Sequence, residues 1–218
     1  MSEFDYQWKN IPCKPTDASV IQRVTKLPLA WFKNKTILDA GAGSGRFSKI
    51  FSELNANVVA CDISFEGIHK CQTSNRIVMD IMHPALNTTF DMIWSYGVVH
   101  HIQQYEICLA QLSQLVKPGG YLTLMVYRRP ITAKMFALYL CYGLLRQITK
   151  YWSSEAKLKL CGKLSIKFAD VHGWFDAINP CFNKLFTLKE CTNILHKNGL
   201  TPITYGGPKM HIEVMFKK

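Results

Sequence analysis

Between residues 36 and 127, short apolar runs alternate with segments of helical period, and that alternation leaves few folds open. The runs 36–40, 58–62, 77–79, 92–96 and 121–127 are rich in Val, Ile, Leu and Tyr and are expected as short buried strands. Helical patterns occupy 44–55, 65–73 and 104–116. Strand and helix in strict turn require right-handed crossovers, hence a parallel sheet with helices on both faces. A chain of 218 residues with 48% apolar content suffices for one filled domain with modest insertions.

From Pro130 to about Phe186 the alternation stops. AKMFALYLCYGLLRQITKYW and SSEAKLKLCGKLSIKFA read as helices with no strand between them, so 128–186 is expected as a helical insert after the fifth strand. Thr187 with Glu190 three residues later is a capping-box start, and Gly199 marks a helix stop. Strands near 202–206 and 211–217 complete the sheet. The expectation is one domain: an N-terminal helical cap over 1–35, a core over 36–127, the insert over 128–186, and a closing helix and strands over 187–218.

The turn ILDAGAGSGRF carries Gly41, Gly43 and Gly45 between the first strand and the first helix of the alternation. Such a turn lets a ligand approach bare backbone at a helix N-terminus. The dinucleotide fingerprint needs G-x-G-x-x-G, whereas Arg46 stands where its third glycine belongs, which argues against a nicotinamide cofactor and a dehydrogenase. Asp62 closes the next strand 21 residues beyond Gly41, the offset at which a carboxylate accepts ribose hydroxyls. With Asp39 and Asp80, acids close three successive strands around the crevice where open α/β sheets bind ligands.

At these positions the chain resembles the class I S-adenosylmethionine-dependent methyltransferases. ILDAGAGSGRF is similar to that family's first motif, CDIS to its acidic second-strand end and MDI to its third; FDMIWSYGVVHHI and LVKPGGYLTLMVY resemble the fourth-strand and fifth-strand motifs. The resemblance implies a Rossmann-like, doubly wound, mostly parallel seven-stranded sheet with an antiparallel final strand, and S-adenosyl-L-methionine as cofactor, leaving S-adenosyl-L-homocysteine. It further implies Gly41, Ala42 and Gly43 against the methionine and ribose, and Asp39 near the amino group. Asp62 would hold the ribose hydroxyls with Ile63 beside the adenine, Asp80 the adenine amine with Ile81 on the ring. Ser95 and Tyr96 would border the methionine tail and the transferred methyl.

A sulfonium methyl is already activated, so transfer needs mainly an aligned nucleophile in a site that excludes water. For a hydroxyl acceptor a base is useful, and His100 and His101 beyond the fourth strand are the candidates; alternatively both belong to an ordinary turn. In HGWFD, His172 and Asp176 are candidates to act on an acceptor whose pocket Trp174 and Phe175 line, or the two aromatics anchor the insert. Tyr127, at the end of the fifth strand, is a further acceptor candidate. Tyr6 and Trp8 read either as an aromatic cap over the cofactor or as a docked tail.

Residues 1–126 hold 11 Lys and Arg against 10 acids, +1, while residues 127–218 hold 15 against 5, +10. Between Arg128 and Lys167 the insert has nine basic residues against Glu155 alone, which favours an anionic or lipid-like substrate; methyl transfer to oxygen or nitrogen of a small molecule, a sugar, natural-product or lipid intermediate, is the first expectation. A tRNA or other RNA methyltransferase using the basic insert on phosphates is the rival within the enzyme class. The fourth-strand end SYGVV lacks the Asn/Asp-Pro-Pro-aromatic tetrad of exocyclic-amine methylation. A non-catalytic binding protein on the same fold is the third reading, opposed by the intact acids. Eight cysteines without C-x-x-C or zinc-finger spacing point to reduced thiols and no metal. MSEFDYQWKN is unlike a secretory signal, and the apolar run 135–145 falls short of the ~20 residues that span a bilayer, so a cytoplasmic protein is expected.

Overall fold

The seven strand-like runs pair into one sheet. A computed structural model describes residues 4–13, 15–165, 171–208 and 210–218. Its strands are β1 (Thr36–Ala40), β2 (Asn57–Asp62), β3 (Asn75–Val78), β4 (Phe90–Tyr96), β5 (Val116–Tyr127), β6 (Thr201–Gly206) and β7 (His211–Lys217), in the order β3-β2-β1-β4-β5-β7-β6. β1 to β5 run parallel, and β7 is antiparallel to both β5 and β6. The order reverses between β1 and β4, so the strands' carboxyl ends part there and open a crevice.

Helices cover both faces because each β-strand of the centre is apolar on both sides. On one face α2 (Ala18–Thr25) and α3 (Arg46–Glu53) bury Ile21, Val24, Phe47 and Phe51 against Met92 and Trp94. On the other, α5 (Tyr105–Gln114) and α9 (Leu188–Lys197) bury Leu109, Leu112 and Leu195 against Leu122 and Val214. The α9 start is the expected capping box, in which the Thr187 hydroxyl accepts from the Glu190 amide and Glu190 accepts from Thr187. Gly199, at φ +78, follows that helix. The third run was expected to be buried, but β3 is an edge strand with exposed side chains, Val78 at 51%. A sheet edge has a neighbour on one side only.

The insert is helical as expected: α6 (Ala133–Ile148), α7 (Ser154–Ser165) and α8 (Val171–Ile178). Lys167, counted among its basic residues, lies outside the described residues. Cys161, Trp174, Phe175 and Ile178 form a small core of their own, which also takes Ile11 and Tyr6 from the N-terminal segment. The N-terminal segment therefore divides. Its first helix, α1 (Asp5–Asn10), joins the insert and α4 (Phe65–Lys70), whereas α2 joins the sheet. Outside this core α6 leaves Phe136, Leu140, Leu144 and Ile148 exposed at four-residue spacing. Among the described residues no helix is long and apolar enough to cross a membrane.

Candidate active site

The glycine turn works by bringing β1, β2 and α3 close. Gly41 has φ +83, and a Cβ there would lie 2.3 Å from the Val98 side chain, so any other residue is doubly excluded. Gly41 and Ala42 amides both donate to the Cys61 carbonyl, at 2.8 and 2.9 Å, tying the turn to β2. Asp62, at the end of β2, accepts from the Gly43 amide through Oδ2 and from the Ser64 amide through Oδ1, each at 2.7 Å. Asp39, at the end of β1, accepts from the Ser48 hydroxyl at 2.6 Å.

These two carboxylates are buried, and the ion pairs among the described residues involve neither of them. Burial pushes Asp39 up to about 6 against the Ser48 hydrogen bond, and burial likewise raises Asp62 against the two amides. A carboxyl raised from 3.8 to about 6 leaves the fold unpenalised below 3.8 and destabilises it as pH rises through 6. The penalty at neutral pH is at most about 3 kcal/mol. Asp39→Asn is therefore expected to raise the melting temperature at pH 7.5 by several degrees and to leave it nearly unchanged at pH 4, read by calorimetry at both pH values. A variant less stable than the parent at pH 7.5 contradicts this.

A cavity of about 440 Å³ lies along the strands' carboxyl ends. Asp39, Gly41, Ala42, Asp62, Ile63, Asp80, Ile81 and Tyr96 all line it, and so do His101, Tyr127 and His172 from the acceptor candidates. Asp80 sits in the turn after β3 and accepts from the Met82 amide at 2.9 Å. Tyr96 points its hydroxyl away, donating to Glu213 on β7 at 2.6 Å, and offers the cavity its ring.

Four expected residues stand elsewhere. Ser95 is fully buried, and among the described residues its hydroxyl has no partner and the wall does not include it. Strand alternation turns it to the face opposite Trp94 and Tyr96, which stack on each other at 5.4 Å. Trp174 likewise misses the cavity. On α8 it lies two residues from both His172 and Asp176, so when these face the cavity it faces the insert core, edge-on to Tyr142 at 5.0 Å. Gly43 is covered by Trp8, whose ring a Cβ at Gly43 would meet at 2.2 Å. His100 is entirely buried behind His101 and Tyr127, with ring centroids 4.1 and 4.0 Å away. Burial and the neighbouring His101 hold it well below the ordinary histidine range, so it stays neutral.

The N-terminal helix is the roof. Trp8 and Phe4 line the cavity, Phe4 lies 5.4 Å from the His101 ring, and Asp5 accepts from the Ser64 hydroxyl at 2.6 Å. Gln7 reaches the His172 ring at 3.3 Å, joining roof to insert. Of the two aromatics read as cap or tail, Trp8 caps the cavity, and Tyr6 stacks on Phe175 at 6.1 Å.

At the insert end of the cavity three elements converge. Asp176 Oδ2, from α8, lies 3.3 Å from His101 Nε2 and accepts from the Tyr127 hydroxyl of β5. Burial pushes Asp176 up, but the imidazoles of His101 and His100 and the Tyr127 hydroxyl outweigh it and hold the carboxyl well below the usual range. Burial and the Asp176 charge together keep Tyr127 protonated. Ligand atoms of His100, His101 and Asp176 lie within 4.8 Å of one another, yet Asp176 is already committed to Tyr127 and His100 does not reach the cavity. His211 completes the wall, stacked on Tyr127 at 5.4 Å. It was not anticipated; the β5–β7 register that pairs it with Tyr127 is what exposes it.

A methyltransferase domain family model matches residues 15–205. The chain belongs to the methyltransferase domain family. This is the family expected from the motifs, and S-adenosylmethionine is its cofactor. Among curated relatives, the mitochondrial ubiquinone biosynthesis O-methyltransferase of Schizosaccharomyces pombe is 29% identical over 167 residues, covering 71% of this chain and 61% of the relative. A malonyl-[acyl-carrier protein] O-methyltransferase of Buchnera aphidicola is 27% identical over 158 residues, covering 68% and 64%. The methyltransferase domain described here thus spans less than two-thirds of the length of these relatives. Among solved structures, magnesium protoporphyrin IX methyltransferase from Synechocystis with bound S-adenosylhomocysteine superposes with a TM-score of 0.61 at 14% identity, covering 98% and 93% of the two chains. The 1,6-didemethyltoxoflavin-N1-methyltransferase of Burkholderia thailandensis gives 0.58 at 16%, covering 92% and 76%. Both share the fold.

Proposed function

We propose that the protein is an S-adenosylmethionine-dependent methyltransferase acting on a hydroxyl oxygen of a small molecule, with His101 as general base. The observation that carries this is one cavity with two ends. Asp39, Asp62 and Asp80 line one part of its wall, and the His101–Asp176–Tyr127 cluster lines another.

The residues present fit the cofactor. Gly41 and Ala42 line the cavity and would offer their backbone to the methionine portion, and Asp62 retains lone pairs for ribose hydroxyls beyond the two amides it accepts. Asp80 would accept from the adenine amine, and Ile63 and Ile81, on the same wall, would flank the ring. Asp39, buried with no ion pair among the described residues and raised to about 6 by that burial, favours a ligand bearing an ammonium group beside it. Cofactor affinity should accordingly strengthen from pH 5 to pH 7. When bound, S-adenosylmethionine supplies a methyl group already activated for displacement.

The chain's own residues do the rest. His101 takes the proton of the acceptor hydroxyl as the oxygen attacks, and the Asp176 carboxylate, 3.3 Å from its Nε2, stabilises the imidazolium. Tyr127 holds Asp176 in place by donating to it. Phe4 and Trp8 of the roof keep water from the reacting atoms. Oxygen rather than nitrogen is favoured by the base and by the two O-methyltransferase relatives named above. Calorimetry tests the reading: the protein should take up S-adenosylhomocysteine with measurable heat and ignore NAD. No heat with S-adenosylhomocysteine overturns it.

A further inference from the structure

The cavity adjoins a second one of about 250 Å³, with which it shares Tyr127, Gly173 and His211. Tyr139, Tyr142 and Arg146 of α6 wall this side chamber, and Asn183 lies opposite in the segment leading to Phe186. Arg146 is anchored by one hydrogen bond, from Nη2 to the Ala177 carbonyl. Its Nε is buried and has no hydrogen-bond partner among the described residues, and among them no carboxylate comes within 4 Å of the guanidinium. Burial disfavours its charge, opposed only at longer range by Asp176 and Tyr127. The Asn183 Oδ1 is also buried and unpartnered.

A half-buried guanidinium whose buried Nε has no partner among the described residues, and a buried acceptor in the same state, are costly unless a ligand completes them. The guanidinium presents a planar fork that matches a carboxylate, and Arg146 is the sole Lys or Arg among the described residues lining the chamber. A monoanion is thereby neutralised, whereas a phosphate dianion would keep a charge. Three tyrosine rings around 250 Å³ suit one aromatic ring with short substituents. A hydroxyl on that ring has two destinations: the Asn183 Oδ1, or the shared wall at Tyr127, where His101 stands.

We propose that the side chamber is the acceptor site and that the acceptor is a hydroxylated aromatic carboxylate, its carboxylate on Arg146, its ring among the tyrosines and its reacting hydroxyl toward His101. This rests on the methyl-transfer reading above for its chemistry, but the anion site stands or falls separately.

The test uses the protein loaded with S-adenosylhomocysteine, titrated calorimetrically with 3-hydroxybenzoate, 4-hydroxybenzoate and 4-hydroxycinnamate and with the methyl ester of each. At least one acid should bind about tenfold or more tighter than its ester. Arg146→Gln should abolish that preference while leaving S-adenosylhomocysteine affinity intact, and Arg146→Lys, which keeps the charge without the fork, should retain part of it. Esters binding as tightly as acids, no acid binding at all, or a preference that survives Arg146→Gln each overturn the proposal. Acid binding that depends on Arg146 in a protein that takes no S-adenosylhomocysteine would uphold the anion site and remove the methyl-transfer reading instead.

Discussion

Exchange of His101 for glutamine is expected to lower kcat by about 10²- to 10⁴-fold, the usual contribution of a positioned general base. Cofactor affinity should stay nearly constant, because His101 belongs to the insert end of the cavity and the three acids to the other. Asp176→Asn should act in the same direction. It removes the charge beside the imidazolium and leaves Tyr127 and His101 without the carboxylate that both face. Single-turnover kinetics with the variant saturated in cofactor would measure this. A kcat within a few-fold of the parent's would reduce His101 to a wall residue, with alignment alone carrying the reaction.

Asp62→Ala should weaken S-adenosylhomocysteine binding by about 10- to 100-fold, the loss of charge-assisted hydrogen bonds worth roughly 1.5–3 kcal/mol. The same carboxylate organises the turn, accepting from Gly43 and Ser64, so its removal also orphans two amides. Asp62→Asn perturbs the turn less: its one amide oxygen still accepts from one of the two backbone amides while the charge is lost, so it should be less destabilised than the alanine variant and still bind the cofactor more weakly. Unchanged affinity in the asparagine variant would mean that the ribose lies elsewhere.

Much of this arrangement is legible in one dimension. Strand centres such as TILDA and VVACD are readable because a parallel strand covered on both faces must be apolar throughout, and the acids at their ends mark where the sheet meets the crevice. The capping box at Thr187 and Glu190 is equally local, since donor and acceptor lie three residues apart. The misreadings share a cause. Ser95 follows the motif's spacing yet faces away, because neighbouring residues on a strand point to opposite faces; of the two readings open for Trp174, helix phase selects the anchor of the insert. At β3 the apolar run was read without knowing that it is the sheet's edge.

The sequence by itself determined the order of the elements, the glycine turn, the three carboxylates at strand ends and the helical character of the insert, because each is encoded within a few residues of itself. Only the tertiary structure decided that Tyr127, Asp176 and His101 meet, that His100 is walled off behind them, and that α1 roofs the cavity with Phe4 and Trp8. Those contacts join segments tens of residues apart, and which side chains then share a cavity depends on helix phase, strand register and packing that no local pattern records.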